Sequence, residues 1–170
     1  MLRLSPQADL GVFYDADSDR YRSGSAQDYT QTVTRDAFVA FYADCPSIGF
    51  EADGAPIGGI LFDGEQAHIA VLPRYHGLWA LLLKPALQWL FSLKPEILVA
   101  VESDNHRCLR FMERHGWPRV EEQGDDIIYR ITAQGGLRKT AYPIPGHRSA
   151  LVAGLNGPSF NGASPCLHPH

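Results

Sequence analysis

Residues able to do chemistry gather in the middle of the chain. His68 lies in an apolar run, Ala67 to Leu72, with Glu65 just before it, and Glu102 closes a second apolar run that starts at Ile97. Histidine exchanges protons near neutrality without a large pKa shift, and a carboxylate can do the same work where its surroundings raise its pKa. After the first run comes Pro73 and then Arg74-Tyr75-His76-Gly77, ahead of a long apolar stretch from Leu78 to Phe91. A glycine turn that opens a helix presents unpaired backbone N–H groups, which suit a phosphate or another anion. His68 also has a plainer reading. Alternation along the strand puts His68, Ala70 and Leu72 on one face and Ala67, Ile69 and Val71 on the other. His68 is therefore either a proton acceptor or a hydrogen-bonded, partly buried strand residue.

These residues need elements to position them. Ala67 to Leu72 and Ile97 to Glu102 read as strands. Ile97 to Val101 has no alternation, as expected of a strand covered on both faces. Leu78 to Phe91 is apolar nearly all round and reads as a buried helix that Pro85 kinks or splits. Asp104 is the expected cap of the next helix, whose inner face carries Cys108, Leu109, Phe111 and Met112 and which ends at Gly116. The result is a βαβα unit. Upstream, a short strand is expected at Leu2 to Leu4, followed by an acidic loop with Asp15, Asp17, Asp19 and Asp28. Thr34 caps a helix bearing Phe38, Val39, Phe41 and Tyr42. Ile48 to Ala52 and Ile57 to Phe62 form a hairpin around Asp53-Gly54, and Asp63-Gly64 turns into the His68 strand. Three antiparallel strands thus precede Pro73. Pro118 to Glu122 and Ile127 to Ile131 make a last strand pair.

Composition narrows the function. The 170 residues carry a net charge of −4, 45% apolar and 20% charged residues. That suits one globular domain and argues against nucleic-acid and membrane partners. Cys45, Cys108 and Cys166 form no paired framework, and a reducing, cytoplasmic setting is expected. There is neither a Gly-Lys-Ser/Thr phosphate loop nor a Gly-x-Ser-x-Gly elbow. Cys166, His168 and His170 sit at the end of the chain, and no metal cofactor is expected.

The stretch Glu102-Ser103-Asp104-Asn105, continued by Phe111-Met112-Glu113-Arg114-His115-Gly116-Trp117, resembles the second half of the GNAT acetyltransferase domain. Arg74-Tyr75-His76-Gly77-Leu78-Trp79 is similar to that family's Arg/Gln-x-x-Gly-x-Gly/Ala turn. The resemblance covers about residues 34–132. It implies a mixed α/β fold, a mainly antiparallel sheet flanked by helices, and acetyl-CoA as cofactor. It also implies acyl transfer to an amine. Leu72, Arg74, His76, Gly77 and Asn105 would line the cofactor site, with His68, Glu65 or Glu102 as catalytic base. Two positions depart from the family pattern. Trp79 stands in a glycine slot, where an indole would exclude pyrophosphate unless it packs as core. A second register of the turn, starting at His76, also places Leu81 in such a slot. Met112 replaces the usual tyrosine acid, and a thioether donates no proton.

The domain is expected to span residues 1–133. Beyond it, residues 134–170 are rich in Gly and Pro yet keep Tyr142, Ile144, Leu155 and Phe160, and no Asp or Glu follows Asp126. This reads as an extended C-terminal arm suited to a protein partner or a second copy. The alternative to an enzyme is a non-catalytic GNAT-like assembly protein, for example in a phage virion, docking through that arm.

Overall fold

The computed structural model describes residues 1–22 and 33–135, the side chains of residues 20–22 excepted. The strands are β1 (Leu2–Ser5), β2 (Ser47–Ala52), β3 (Ala55–Phe62), β4 (Ala67–Val71), β5 (Glu96–Glu102), β6 (Arg119–Gln123) and β7 (Asp126–Thr132). The helices are α1 (Leu10–Arg22), α2 (Arg35–Tyr42), α3 (Leu83–Leu93) and α4 (His106–Arg114). All but 134–135 of the expected C-terminal arm, and with it the expected partner surface, lie outside the described residues.

The strands form two sheets, β1-β2-β3-β4 and β5-β7-β6, each antiparallel throughout. Four strands precede Pro73 rather than three, because β1 pairs with β2, Leu2 facing Ala52. The β2–β3 hairpin turns through Asp53 (φ 52°) and Gly54 (φ 84°). Two successive positive φ values are what a tight hairpin following the right-handed strand twist requires.

The larger core lies on one side of the sheets. Ala67, Ile69 and Val71 of β4 and Ile97, Val99 and Val101 of β5 meet Ala86 and Leu90 of α3 and Cys108, Leu109 and Met112 of α4. Full burial of each large aliphatic side chain stabilises by about 1.5–3 kcal/mol. Phe111, expected on the inner face of α4, is only partly buried and packs at the edge of this core. On the other face, Leu61 and Ala70 lie under Phe13, Tyr14, Phe38 and Tyr42 of α1 and α2.

Of the expected acidic loop, Asp28 lies outside the described residues, and the part carrying Asp15, Asp17 and Asp19 is a helix over Leu10–Arg22. Asp9 caps it, accepting the Val12 N–H at 2.9 Å. Leu10, Phe13 and Tyr14 begin an inward face, but Asp17 and Ser18, both buried, continue it. Polar residues at inward positions break the apolar period that marks a helix in sequence. The cap of α4 is Asn105 rather than Asp104, its Oδ1 accepting the Cys108 N–H at 3.1 Å. The cap of α2 is Thr34, as its sequence suggests.

Pro85 splits the apolar stretch after β4. A 3₁₀ turn at Trp79–Leu82 precedes α3, and Pro85 falls in the first turn of α3, where a missing N–H breaks no helical bond.

Candidate functional site

The two sheets meet where β4 and β5 begin. Gln66 and Leu98 form a parallel bridge, and the Leu98 N–H donates to the Glu65 carbonyl at 3.3 Å. No named pairing joins β4 to β5 beyond that bridge, so the parallel strands part toward Val71 and Glu102. Register decides what faces the gap. The Leu72 N–H donates to the Ile57 carbonyl across β3, at 2.9 Å. Backbone groups alternate sides along a strand, so those of Ile69 and Val71 point away from β3, into the gap. The gap thus has backbone donors along one wall, where an extended chain bearing a carbonyl could pair.

The expected site residues divide between the two ends of this gap. Leu72, Arg74, His76 and Gly77 follow β4, Glu102 ends β5 and Asn105 follows it, so all six lie at the open end. Glu65 is exposed at the joined end, apart from Glu102. Asn105 spends its side-chain oxygen on the helix cap. The His76 ring donates from Nε2 to the Val71 carbonyl at 2.7 Å, at the rim of the gap. The Arg74 guanidinium lies 5.0 Å from the Tyr75 ring centroid and stays exposed beside the turn.

Gly77 has φ 88°, which lets the chain reverse after His76. Among the described residues the N–H groups of Gly77, Trp79 and Ala80 donate no hydrogen bond within the chain. They sit at the open end, where a pyrophosphate would need them. Of the two roles open to it, obstruction of the turn or packing as core, Trp79 takes the second. Its indole is 3% exposed and stacks on Phe50 at 5.7 Å and 12°, inside the core. The large apolar side chains that do face solvent around the turn are Leu78 and Leu81. The turn therefore offers the donors a pyrophosphate needs, although two of its glycine slots hold larger residues.

His68 is buried, on the β4 face that α1 and α2 cover, as alternation along the strand requires. Its ring centroid lies 6.1 Å from that of Tyr42, and its Nε2 lies 2.9 Å from Asp63 Oδ2. Neither Asp63 nor Tyr42 stood out in the sequence. The signal for Asp63 was an Asp-Gly turn five residues before a strand histidine. Burial opposes the charge on Asp63. The His68 hydrogen bond and the N–H groups of Gln66 and Glu65 outweigh it and hold the carboxyl below its ordinary 3.8. Burial first, then the nearby charges of Asp63 and Asp17, push the Tyr42 hydroxyl up, so it stays protonated. Met112 is buried within the core, consistent with packing rather than proton donation.

The lowered pKa of Asp63 has a measurable consequence. A carboxyl more acidic in the folded chain contributes stability above its unfolded value, and that contribution fades as the pH falls through the folded one. The thermal midpoint is expected to drop below about pH 4, less steeply in Asp63→Asn; melting curves from pH 3 to 7 check this.

A family model described as "Acetyltransferase (GNAT) family" matches residues 12–117. Among solved structures, the chain is similar to PaiA N-acetyltransferase from Thermoplasma acidophilum in complex with coenzyme A. The TM-score is 0.59 at 16% identity, over 78% of this chain and 99% of that one. YncA from Salmonella typhimurium with its cofactor acetyl-CoA gives 0.57 at 16%, over 84% and 98%. An N-acetyltransferase from Staphylococcus aureus Mu50 gives 0.56 at 16%, over 78% and 97%. A search of curated proteins finds no match. Among the described residues no three potential metal ligands come together, and no helix is long and apolar enough to cross a membrane.

Proposed function

Since the chain belongs to the GNAT acetyltransferase family, we propose that it transfers an acyl group from acyl-CoA to an amine, binding the cofactor in the gap between β4 and β5. The observation that carries this reading is the parting of those strands beyond Gln66 and Leu98, with backbone donors along one wall and at the open end. Acyl-CoA supplies the thioester, and the chain supplies position and proton transfer. Gly77, Trp79 and Ala80 hold the pyrophosphate through backbone N–H groups, with Arg74 adding positive charge beside them. The N–H groups of Ile69 and Val71 hold the pantetheine arm and the acyl carbonyl. His76 must release the Val71 carbonyl if the arm is to pair there.

His68 is the preferred base, because an oriented imidazole works near neutrality and Asp63 fixes the ring. Glu65 faces solvent at the joined end, and Glu102 lies at the rim, so both are less suited to reach an amine inside. Met112 gives the departing sulfur no proton. The thiolate therefore leaves as such or is protonated by water.

Calorimetry with acetyl-CoA tests the reading. A Kd in the micromolar range, about −8 kcal/mol, is expected. Absence of binding at millimolar acetyl-CoA would sink it.

A further inference from the structure

We propose that His76 is a built-in plug of the cofactor gap. Its ring takes the Val71 carbonyl that an amide N–H of the incoming pantetheine arm would otherwise use, so acyl-CoA must displace the imidazole to seat fully. This rests on the functional reading above, with the arm running along β4. Val71 ends β4, and its backbone groups point away from β3, because the adjacent Leu72 N–H donates across β3 to the Ile57 carbonyl at 2.9 Å. The Val71 carbonyl is therefore the last acceptor that β4 offers the gap. His76 Nε2 lies 2.7 Å from it. A carbonyl only accepts hydrogen bonds, so Nε2 carries a proton and donates it.

The turn after β4 sets the ring in this place. Pro73–Tyr75 form a 3₁₀ turn directly after Leu72. The Tyr75 N–H donates to the Leu72 carbonyl at 2.9 Å, and the His76 N–H donates to the Pro73 carbonyl at 3.1 Å. These bonds fold residue 76 back beside the end of the strand. Gly77, at φ 88°, then reverses the chain. The plug and the first phosphate donor are thus consecutive residues. A ligand whose pyrophosphate engages the Gly77 N–H has to lead its arm past the half-buried His76 ring.

The exchange at Val71 is selective. An arm that brings an amide N–H replaces the imidazole and leaves the carbonyl satisfied. An arm without one strips the carbonyl of its partner and gives nothing back, which costs binding. A nucleotide with no arm has no reason to move the ring. The phosphate turn alone accepts any pyrophosphate, and the plug adds a preference for the pantetheine amides.

Long-range ¹H–¹⁵N spectra of histidine-labelled protein read the contact before any ligand is added. His76, assigned by its absence from His76→Gln, is expected as the Nε2–H tautomer. Its signal should stay in place with millimolar ADP and move on saturation with acetyl-CoA. Calorimetry then measures what the plug costs. His76→Ala should bind acetyl-CoA about 5-fold more tightly than the parent, the worth of one ordinary hydrogen bond. His76→Gln keeps a donor and should bind as the parent does.

Equal or weaker affinity in folded His76→Ala overturns the proposal, since a ring that only braces the turn would weaken binding when removed. The same gain in both variants overturns it too. If His76→Ala does not fold, the parent decides: an Nδ1–H ring, or a signal that saturating acetyl-CoA leaves in place, is fatal. A parent that fails to bind acetyl-CoA at millimolar concentration overturns the functional reading instead, and the spectra of the free protein still report the contact.

Discussion

Replacing Trp79 with glycine is expected to unfold the protein early and to leave acetyl-CoA binding no tighter. The turn motif alone suggests the reverse, since glycine restores the family pattern. Trp79 is 3% exposed and stacks on Phe50, which has no exposed surface. Removing a buried tryptophan costs about 3–5 kcal/mol through lost contacts and the cavity left behind. In a chain of this size that corresponds to a midpoint lower by on the order of 10 °C. The indole Nε1–H meets no acceptor among the described residues. Trp79→Phe keeps most of the packing and removes that orphaned donor, so its midpoint should stay close to the parent. Thermal melts of both variants, with calorimetry on whatever folds, check the pair. A stable Trp79→Gly that binds acetyl-CoA more tightly would put the indole back in the cofactor's path.

His68→Gln is expected to lower acyl transfer by about 10²–10⁴-fold, the usual contribution of a general base. Glutamine is close in size, and its amide can still donate to Asp63, so the turn between β3 and β4 should persist. Acetyl-CoA affinity should not change, because the phosphate donors lie at the far end of β4. Thiol release followed across pH is the measurement. In the parent the rate rises with pH as amine and base lose protons. An unchanged rate and profile in the variant would remove His68 from the chemistry.

Much of this was legible in the sequence, and the exceptions share a cause. Asp53-Gly54 and Asp63-Gly64 marked their turns because few residues tolerate the backbone needed there. The unbroken run Ile97 to Val101 marked a strand of the interior: Ile97, Val99 and Val101 join the larger core, and on the other face Ala100 is buried and Leu98 half-buried. Alternation along β4 put His68 opposite Ile69 and Val71, where the structure places it. What failed depended on polar residues facing inward. Asp17 and Ser18 disguised α1 as an acidic loop, and Asp63 read as turn chemistry alone. A buried carboxylate is recognised by its partners, which come from distant parts of the chain, and spacing does not reveal them. Trp79 stayed open between two roles for a related reason: a motif gives the position of a side chain along the chain, not the side on which it packs.

The parting of β4 and β5 bears on more than catalysis. Unpaired strand edges normally invite other chains to add on, and proteins suppress this with charges, bulges or covering segments. Here the two bare edges face each other, joined at one end by Gln66 and Leu98. A slim extended molecule can slide between them. Because each edge faces the other across the gap rather than lying at the outside of a sheet, the chain can keep open a pair of strand edges that most folds have to hide.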